Sequence, residues 1–282
     1  MEEKEIKIYE PDNFLKKGIF FIFREICGEL HRNIWFGFQM FKRDYFAMYR
    51  QSLVGISWAF LLPLISVGTF VLLNRSGIFD AGTLDVPYPL FAVLGMTFWQ
   101  VFATGVIAGT NSLANAGSMI VKINFSKKTL VFASYAQFII PFIVQMSLAG
   151  LLFIFYGISP SAYILLVPVF VLPVVFLGLA VSLVFAMLNA VLRDIGNIIS
   201  IGVTFLMFLT PVLYKKPETG LLAELSRYNP LFYLVDAPRE MILSGGSFHV
   251  TGFIVSNGVS LILFLIALAV FHITEIRIAE RV

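Results

Sequence analysis

Few residues of this chain have the types and spacing that enzymatic chemistry requires. The histidines, His31, His249 and His272, are far apart in the sequence. The single cysteine, Cys27, excludes both an internal disulfide and a Cys-x-x-Cys metal motif. The dipeptide Gly-Lys does not occur, so the phosphate-cradling loop GxxxxGKS/T is missing from the sequence. We therefore expect a protein without a catalytic or metal site of its own.

One group of carboxylates is close enough in sequence to be considered for acid–base work. Glu224, Asp236 and Glu240 fall within a polar insert, residues 215–250, which is interrupted by prolines and a Gly-Gly pair. General acid–base catalysis needs such groups positioned on a substrate, with pKa values tuned by burial and neighbouring charges. A polar insert of this kind more often presents its charges to water, so we interpret the three residues as a solvated loop face.

The composition indicates that these residues belong to a membrane protein. Of 282 residues, 59% are hydrophobic and 13% are charged, which is about half the charged fraction of a soluble domain. Residues 51–74 and 129–192 contain no Asp, Glu, Lys or Arg. At about 20 residues per span, the chain has room for six spans and a modest cytoplasmic part. The net charge of +3 is too small to indicate a nucleic-acid partner.

The predicted fold is therefore all-α, with six transmembrane helices separated by polar, Gly-rich or Pro-rich connections. The approximate bounds of the spans are 56–73, 88–109, 130–156, 163–189, 198–214 and 253–271. The chain then divides into a cytoplasmic N-terminal arm (1–30), an amphipathic interfacial helix (31–53), a six-span domain (54–273) and a cytoplasmic tail (274–282).

The interfacial helix is predicted from its two faces. At about 100° per residue, one face carries Ile34, Phe38, Phe41, Tyr45 and Met48. The opposite stripe carries Arg32, Gln39, Arg43 and Arg50. An aromatic face with a cationic back suits a helix that lies along the bilayer surface, with its stripe turned toward the cytoplasm or a docked partner.

The basic residues set the expected orientation. Fifteen of the 20 Lys and Arg residues fall in the arm, the interfacial helix, the connections after the second and fourth spans, and the tail. The positive-inside rule places these segments and both termini in the cytoplasm, and an even number of spans agrees with that placement.

The predicted spans contain no ionisable carboxylate or amine. Proton- and ion-coupled transporters usually need such groups, so we expect the energy for any transport to come from another chain. The strongest polar groups in the spans are Gln100, Gln137, Gln145 and Asn189. We expect these four side chains to form hydrogen bonds between helices.

Several motifs together resemble a known transporter family. The entry signature consists of Lys42-Arg43-Asp44, Tyr49-Arg50-Gln51-Ser52, Gly55, Trp58 and Pro63. It resembles permeases of type-2 ABC exporters (ABC-2), above all those that export O-antigen, capsular or teichoic-acid polymers. Residues 120–125, IVKINF, resemble their cytoplasmic coupling helix, and Arg193-Asp194 follows the fourth span. Thr210-Pro211-Val212, Asn229-Pro230-Leu231 and Arg239 resemble their outer segment before the last span.

The resemblance implies a homodimer of six-span subunits in the cell inner membrane, working with a separate nucleotide-binding ABC ATPase subunit. That partner would bind ATP and Mg, so no cofactor is expected in this chain. The resemblance also implies a central path for a lipid-linked glycan and short re-entrant helices in the insert, where 221–228 and 231–243 are apolar but too broken to cross. The residues assigned to ATPase coupling are Arg43, Asp44, Arg50, Lys122, Phe125, Arg193 and Asp194.

Aromatic residues in the first two spans are the predicted contacts of the glycan, because sugar rings stack their C–H faces on aromatic rings. These residues are Trp58, Phe98, Trp99 and Phe102. Lipid contact is the alternative role of such side chains. A membrane glycosyl- or acyltransferase would need an Asp, Glu or His constellation that we do not find, and a secondary flippase or channel is disfavoured by the uncharged spans. Export of a drug or small lipid by the same type of transporter stays open.

Overall fold

The computed structural model describes residues 18–49, 53–78, 81–82, 84–117, 125–245 and 248–279. Within these ranges every regular element is a helix. The α-helices are α1 Gly18–Arg32, α2 Ile34–Tyr49, α3 Trp58–Arg75, α4 Tyr88–Asn115, α5 Lys127–Tyr135, α6 Ile139–Tyr156, α7 Val167–Val191, α8 Asp194–Leu209, α9 Leu221–Tyr228, α10 Pro230–Ser244 and α11 Val250–Ala279. Short 3-10 turns, Gly55–Ser57, Ala136–Phe138 and Ala162–Leu166, precede α3, join α5 to α6 and lead into α7.

Five helical stretches of the described chain are long and apolar enough to cross a membrane. They are Trp58–Arg75, Tyr88–Asn115, Lys127–Tyr156, Ala162–Val191 and Val250–Glu275. These stretches overlap the first, second, third, fourth and sixth predicted spans, and an all-helical integral membrane protein is thereby confirmed. The helix at the fifth predicted span, α8, has 16 residues. At 1.5 Å per residue it is about 24 Å long, against a hydrocarbon layer of about 30 Å.

Helix α4 is the centre of the bundle. All residues from 90 to 99 are buried, because α4 packs on α3, α5, α6 and α7 and is apolar on every side. The outer helices instead expose apolar side chains, such as Leu72 on α3 (69% exposed) and Ile154 on α6 (81% exposed). Side chains of this kind on the perimeter of a bundle suit contact with lipid.

A buried tyrosine sets the spacing between α4, α5 and α7. The hydroxyl of Tyr135 donates to the carbonyl of Val101 at 3.2 Å, and its ring lies between two glycines. A Cβ at Gly105 would lie 2.4 Å from the ring, and one at Gly178 would lie 2.1 Å from the hydroxyl. Glycine is therefore required at both positions for the three helices to pack this closely.

Contacts between distant segments define one end of the bundle, which we call the Lys128 end. Lys128, at the start of α5, forms ion pairs with Glu29 in α1 and with Glu275 near the end of α11. At the same end, Asn111 near the end of α4 accepts a hydrogen bond of 3.1 Å from Asn189 near the end of α7.

The opposite end is called the Arg239 end. Arg239 in α10 donates to the carbonyl of Val212, which follows α8, at 2.8 Å. The backbone N–H of Lys215 donates to the carbonyl of Ala81, between α3 and α4, at 2.9 Å. The connection between α3 and α4 and the chain after α8 therefore meet at this end.

Helix α8 connects the two ends. Near its start, the N–H of Gly196 donates to Asn189 Oδ1 at 2.8 Å, which places it at the Lys128 end. After its last turn, the hydroxyl of Thr210 accepts a hydrogen bond of 2.8 Å from Asn229, which precedes α10 at the Arg239 end. Helix α8 thus runs along the length of the bundle.

The arm contains a helix that the sequence analysis did not predict. Helix α1 occupies residues 18–32 and α2, at the predicted interfacial helix, begins at Ile34. Ile26 of α1 is fully buried in a small apolar cluster with Leu113, Leu130 and Leu268. Burial of this face against three other helices explains why the segment is ordered as a helix.

Candidate functional site

Helix α2 lies against the start of α5 at the Lys128 end. The rings of Phe36 and Phe125 are 4.7 Å apart, centroid to centroid. A Cβ at Gly37 would lie 3.1 Å from Thr129 Cγ2, so the two backbones approach closely. The predicted interfacial helix and the predicted coupling residue Phe125 are therefore in direct contact.

Helix α2 exposes both apolar and polar side chains. Ile34, Trp35 and Phe38 are 67%, 69% and 53% exposed, although they are large and apolar. Of the predicted cationic stripe, Gln39 and Arg43 are also exposed on α2, whereas Arg32, likewise exposed, is the last residue of α1. An apolar surface beside a cationic one suits a helix at a membrane surface. The predicted apolar face is wrong for Tyr45, which is 2% exposed because it packs against protein. Two residues of the predicted coupling set, Arg50 and Lys122, lie outside the described residues.

A cleft of about 590 Å³ opens between α2 and α4. Its mouth holds the ion pair between Arg43 Nη2 and Asp44 Oδ1, at 2.7 Å. The remaining polar wall comes from α4 and the segment around α5, and consists of Thr104, Asn111, Ser112, Asn115, Ser134 and Gln137. The cleft therefore begins at two of the predicted coupling residues and extends along polar groups.

A second cavity, of about 210 Å³, lies beside the first. Thr104 and Gln137 line both cavities, so the two adjoin along α4, and we call them together the polar path. Its inner part is lined by Trp58, Gln100 and Gln145 among mostly apolar neighbours.

The inner part of the polar path is bordered by the buried amide of Gln145. Its side chain is 2% exposed, and its Oε1 has no hydrogen-bond partner among the described residues. A buried amide oxygen left unpaired costs about 1–3 kcal/mol unless water or a ligand donates to it. The wall of the inner cavity therefore contains a buried hydrogen-bond acceptor without a partner among the described residues.

The expected hydrogen bonds between helices are confirmed for Asn189. Its Nδ2 donates to Asn111 Oδ1 at 3.1 Å and to the carbonyl of Thr110 at 3.2 Å, and its Oδ1 accepts from the N–H of Gly196. This network links α4, α7 and α8. It also fixes the turn that carries Arg193 and Asp194, which are both exposed at the Lys128 end.

The same expectation is wrong for the three glutamines. Gln100 accepts a hydrogen bond of 2.9 Å from Thr104 in its own helix. Gln137 and Gln145 form no hydrogen bond to another helix among the described residues, and both line the polar path. Their amides face the cavity because α3, α4 and α6 do not close over it, a gap that local sequence does not reveal.

The four predicted glycan contacts are not brought together. Trp58 is half-buried and lines the inner cavity. Phe98, Trp99 and Phe102 are 0%, 2% and 4% exposed within the core. The rings of Trp99 and Phe102 are 5.8 Å apart. Of the four side chains, Trp58 therefore has direct access to the polar path.

A buried arginine organises the Arg239 end. Arg239 is fully buried, its guanidinium carbon lies 3.7 Å from the centroid of the Phe91 ring, and it forms an ion pair with Asp236. Together with the bond to Val212, these contacts fasten α10 to α4 and to the chain after α8. The sequence offered one signal for this, the spacing of Asp236 and Arg239 on one helical face.

The interpretation of Glu224, Asp236 and Glu240 as one solvated loop face is wrong for two of the three. Glu224 is exposed, whereas Asp236 and Glu240 are partly buried on α10. Burial raises the pKa of the Glu240 carboxyl, and the neighbouring charge of Arg239 lowers it. The interpretation fails because α10 packs onto α4 and α11 and so carries its carboxylates against protein.

The chain is similar in sequence to known membrane transporter proteins. The sequence profile described as "ABC-2 type transporter" matches residues 34–243. An O-antigen export system permease protein RfbA from Myxococcus xanthus is 29% identical over 174 residues, which cover 61% of this chain and 65% of that protein. Two proteins of the same description from Klebsiella pneumoniae are each 25% identical, over 255 and 249 residues, covering 85% of this chain and 92% of theirs. This membrane-embedded chain belongs to the ABC-2 type transporter family.

Proposed function

We propose that the chain is the permease subunit of an ATP-driven exporter that moves a lipid-linked, O-antigen-like polysaccharide across the inner membrane. Its partners are a second copy of itself and a separate ATPase subunit, which binds ATP and Mg. The names of the three relatives support the substrate class. The polar path that runs from Arg43 to Gln145 is the observation that carries the proposal.

The lining of the polar path suits a neutral glycan. Amides such as Gln100, Gln137 and Gln145 both donate and accept hydrogen bonds, as sugar hydroxyls do. Trp58 offers an aromatic face on which a sugar ring can stack. Among the described lining residues, fixed charge is restricted to the Arg43–Asp44 pair at the mouth. A chain of sugars can therefore exchange one set of weak hydrogen bonds for the next as it moves, without being held by a strong ionic contact.

The coupling surface is proposed to lie at the Lys128 end. Arg43 and Asp44 on α2, Phe125 before α5, and Arg193 and Asp194 at the start of α8 all lie there. The contact between Phe36 and Phe125 joins α2 to the segment that resembles a coupling helix. Arg50 and Lys122 are included in the coupling surface on the resemblance alone.

Six membrane crossings are part of the proposal. Lys128 lies at the start of the third long stretch, Lys127–Tyr156, and Glu275 ends the last one, Val250–Glu275, and the two are in contact. The chain between them must therefore cross an even number of times. The three long stretches in this part of the chain need a fourth crossing, and α8, which runs from one end of the bundle to the other, supplies it. With α3 and α4, the total is six.

This count supports the same side for both termini. The positive-inside rule makes that side the cytoplasm, so the Lys128 end is cytoplasmic and the Arg239 end is outward. Helices α9 and α10 have 8 and 15 residues, and both follow α8 at the Arg239 end. We propose that they form the re-entrant hairpin on the outer side, since neither is long enough to span the bilayer.

The experiment is a substitution of Gln137, which lines both parts of the polar path. Gln137→Leu keeps the approximate size of the side chain and removes its amide. We expect surface polysaccharide to fall at least about tenfold in cells that depend on this permease, with normal membrane insertion and ATPase association. The matched control is Ser147→Ala, because Ser147 is exposed on the outside of α6 and, within the described part of the chain, bonds only to the Ile143 carbonyl of its own helix. Normal export by Gln137→Leu and by Trp58→Leu would refute the polar path.

A further inference from the structure

We infer that Lys128 and its two carboxylate partners join the N-terminal helix, the start of the third span and the end of the last span into one mechanical unit at the Lys128 end. The role of this unit in transmitting ATPase motion rests on the proposed function. Whether the three elements are held together as one unit is tested by hydrogen exchange, without any measurement of transport.

The cluster is an enclosed set of charges. Lys128 is fully buried, and its Nζ lies 2.7 Å from Glu275 Oε2 and also bonds Glu29 Oε2. The side chains of Glu29 and Glu275 are 16% and 11% exposed. One ammonium group therefore holds α1 and α11 to α5 at the same point.

Glu275 makes a second connection to α5. Its Oε1 accepts a hydrogen bond from the backbone N–H of Lys127, the first residue of that helix. The capping position, Ser126, provides no side-chain hydrogen bond of its own. A carboxylate is favourable at the positive N-terminus of a helix. The last span thus supplies the cap of the helix that begins the third span.

Apolar side chains surround the charges. Ile26, Leu130 and Phe271 are at most 1% exposed, and they belong to one buried cluster that α1, α5 and α11 share. Ion pairs in such surroundings are weakly screened by water and salt. The cluster is therefore unlike the exposed Arg43–Asp44 pair, whose contribution to stability is small.

The cluster is an ion-pair cluster and not a metal site. Glu29, His272 and Glu275 do place potential ligand atoms within 4.8 Å of one another. The ammonium of Lys128, however, already bonds both carboxylates and neutralises part of their charge. Apolar residues of similar size would often stabilise such a site equally well, so buried charges here serve to specify which three elements meet.

The cluster lies close to the predicted coupling segment and can transmit its displacement. Phe125 lies three residues before Lys128 and contacts Phe36 on α2. A displacement of the segment before α5 reaches Lys128 within one helical turn and then acts on α1 and on the end of α11. Without the cluster, the same displacement would reach α1 and α11 only through apolar packing.

Hydrogen exchange of the intact permease–ATPase complex, read by mass spectrometry, tests the unit. Lys128→Met should make backbone amides in α1 and in the last turns of α11 exchange at least about tenfold faster. Lys127→Met is the matched control. It removes the same charge from the neighbouring residue, and the Lys127 side chain forms no ion pair among the described residues. The bond to Glu275 comes from the Lys127 backbone and is kept. Glu29→Gln should speed amide exchange in α1 and leave exchange in α11 as slow as in the wild type.

Two further variants separate the unit from a general loss of folding. Lys128→Arg keeps the charge and should restore most of the protection. The triple change Lys128→Met, Glu29→Gln and Glu275→Gln leaves no unpaired buried charge, and it should fold with α1 and α11 still unprotected. Wild-type exchange in both Lys128→Met and the triple variant would overturn the inference.

The mechanical role has its own measurement. With the ATPase still bound, Lys128→Met should raise the ATP hydrolysed per glycan exported by at least about threefold, because the last span no longer follows the coupling segment. If amide exchange in α1 and α11 is faster but the ATP hydrolysed per glycan is unchanged, the cluster only stabilises the structure and the mechanical role is refuted. Failure of the wild-type chain to export glycan would refute the proposed function instead, and would leave the exchange results standing.

Discussion

Removal of the Arg239 guanidinium is the most direct test of how the Arg239 end is held. Arg239→Met keeps much of the side-chain volume but loses the hydrogen bond to the Val212 carbonyl and the stacking on Phe91. It also leaves Asp236, 19% exposed, without its cation. We expect α10 to loosen from α4 and from the chain after α8.

The magnitude follows from these contacts. A hydrogen bond from a charged group contributes about 1.5–3 kcal/mol, and a desolvated cation–π contact about 0.5–2 kcal/mol. Breaking a buried ion pair by removing one partner costs about 3–5 kcal/mol in total. At about 2 °C per kcal/mol for a chain of this size, the Tm should fall by about 6–10 °C. Arg239→Lys keeps the charge but loses the planar stacking, so we expect an intermediate loss of about 1–3 kcal/mol.

The assay is thermal unfolding of the purified protein in one detergent, followed by intrinsic fluorescence or by retention of the folded peak in gel filtration. Adding Asp236→Asn to Arg239→Met should recover part of the loss, because the unpaired carboxylate is then removed. Arg227→Gln, which changes an exposed arginine on α9, should leave the Tm within about 1 °C of wild type. If Arg239→Met stays within about 2 °C of wild type, or if the lysine variant is equally damaged, the reasoning is refuted.

Three shorter predictions concern other parts of the bundle. Asn189→Ala should cost about 1–3 kcal/mol and weaken ATPase stimulation, because the turn after α7 loses its anchor; unchanged stimulation would contradict this. Gly178→Ala should cost about 1–3 kcal/mol in thermal unfolding, since its Cβ would lie 2.1 Å from the Tyr135 hydroxyl; a wild-type Tm would contradict the packing. In a cysteine-free background, an impermeant thiol reagent applied to intact cells should label Glu218→Cys but not Lys127→Cys; the reverse pattern would invert the topology.

Local sequence determined the long apolar helices and their membrane setting, but not helix α1 in the arm. A segment that crosses a membrane must satisfy its own backbone hydrogen bonds, so an apolar run of sufficient length is a helix whatever its neighbours are. For this reason the run at residues 88–109 corresponds to α4, and the uncharged residues 129–192 make up nearly all of two long helical stretches, Lys127–Tyr156 and Ala162–Val191. The order of short motifs also indicated the family, which residues 34–243 match.

Tertiary structure decided where the polar side chains lie. Lys128 counts in the sequence as one more basic residue of a connection, yet it is buried against Glu29, 99 residues earlier in the chain, and against Glu275. Periodicity does not reveal that Arg239 stacks on Phe91 or that Gln145 faces a cavity. A buried charge or amide is tolerated only where distant helices bring it a partner or leave it a polar cavity, and that juxtaposition exists only after the helices have packed.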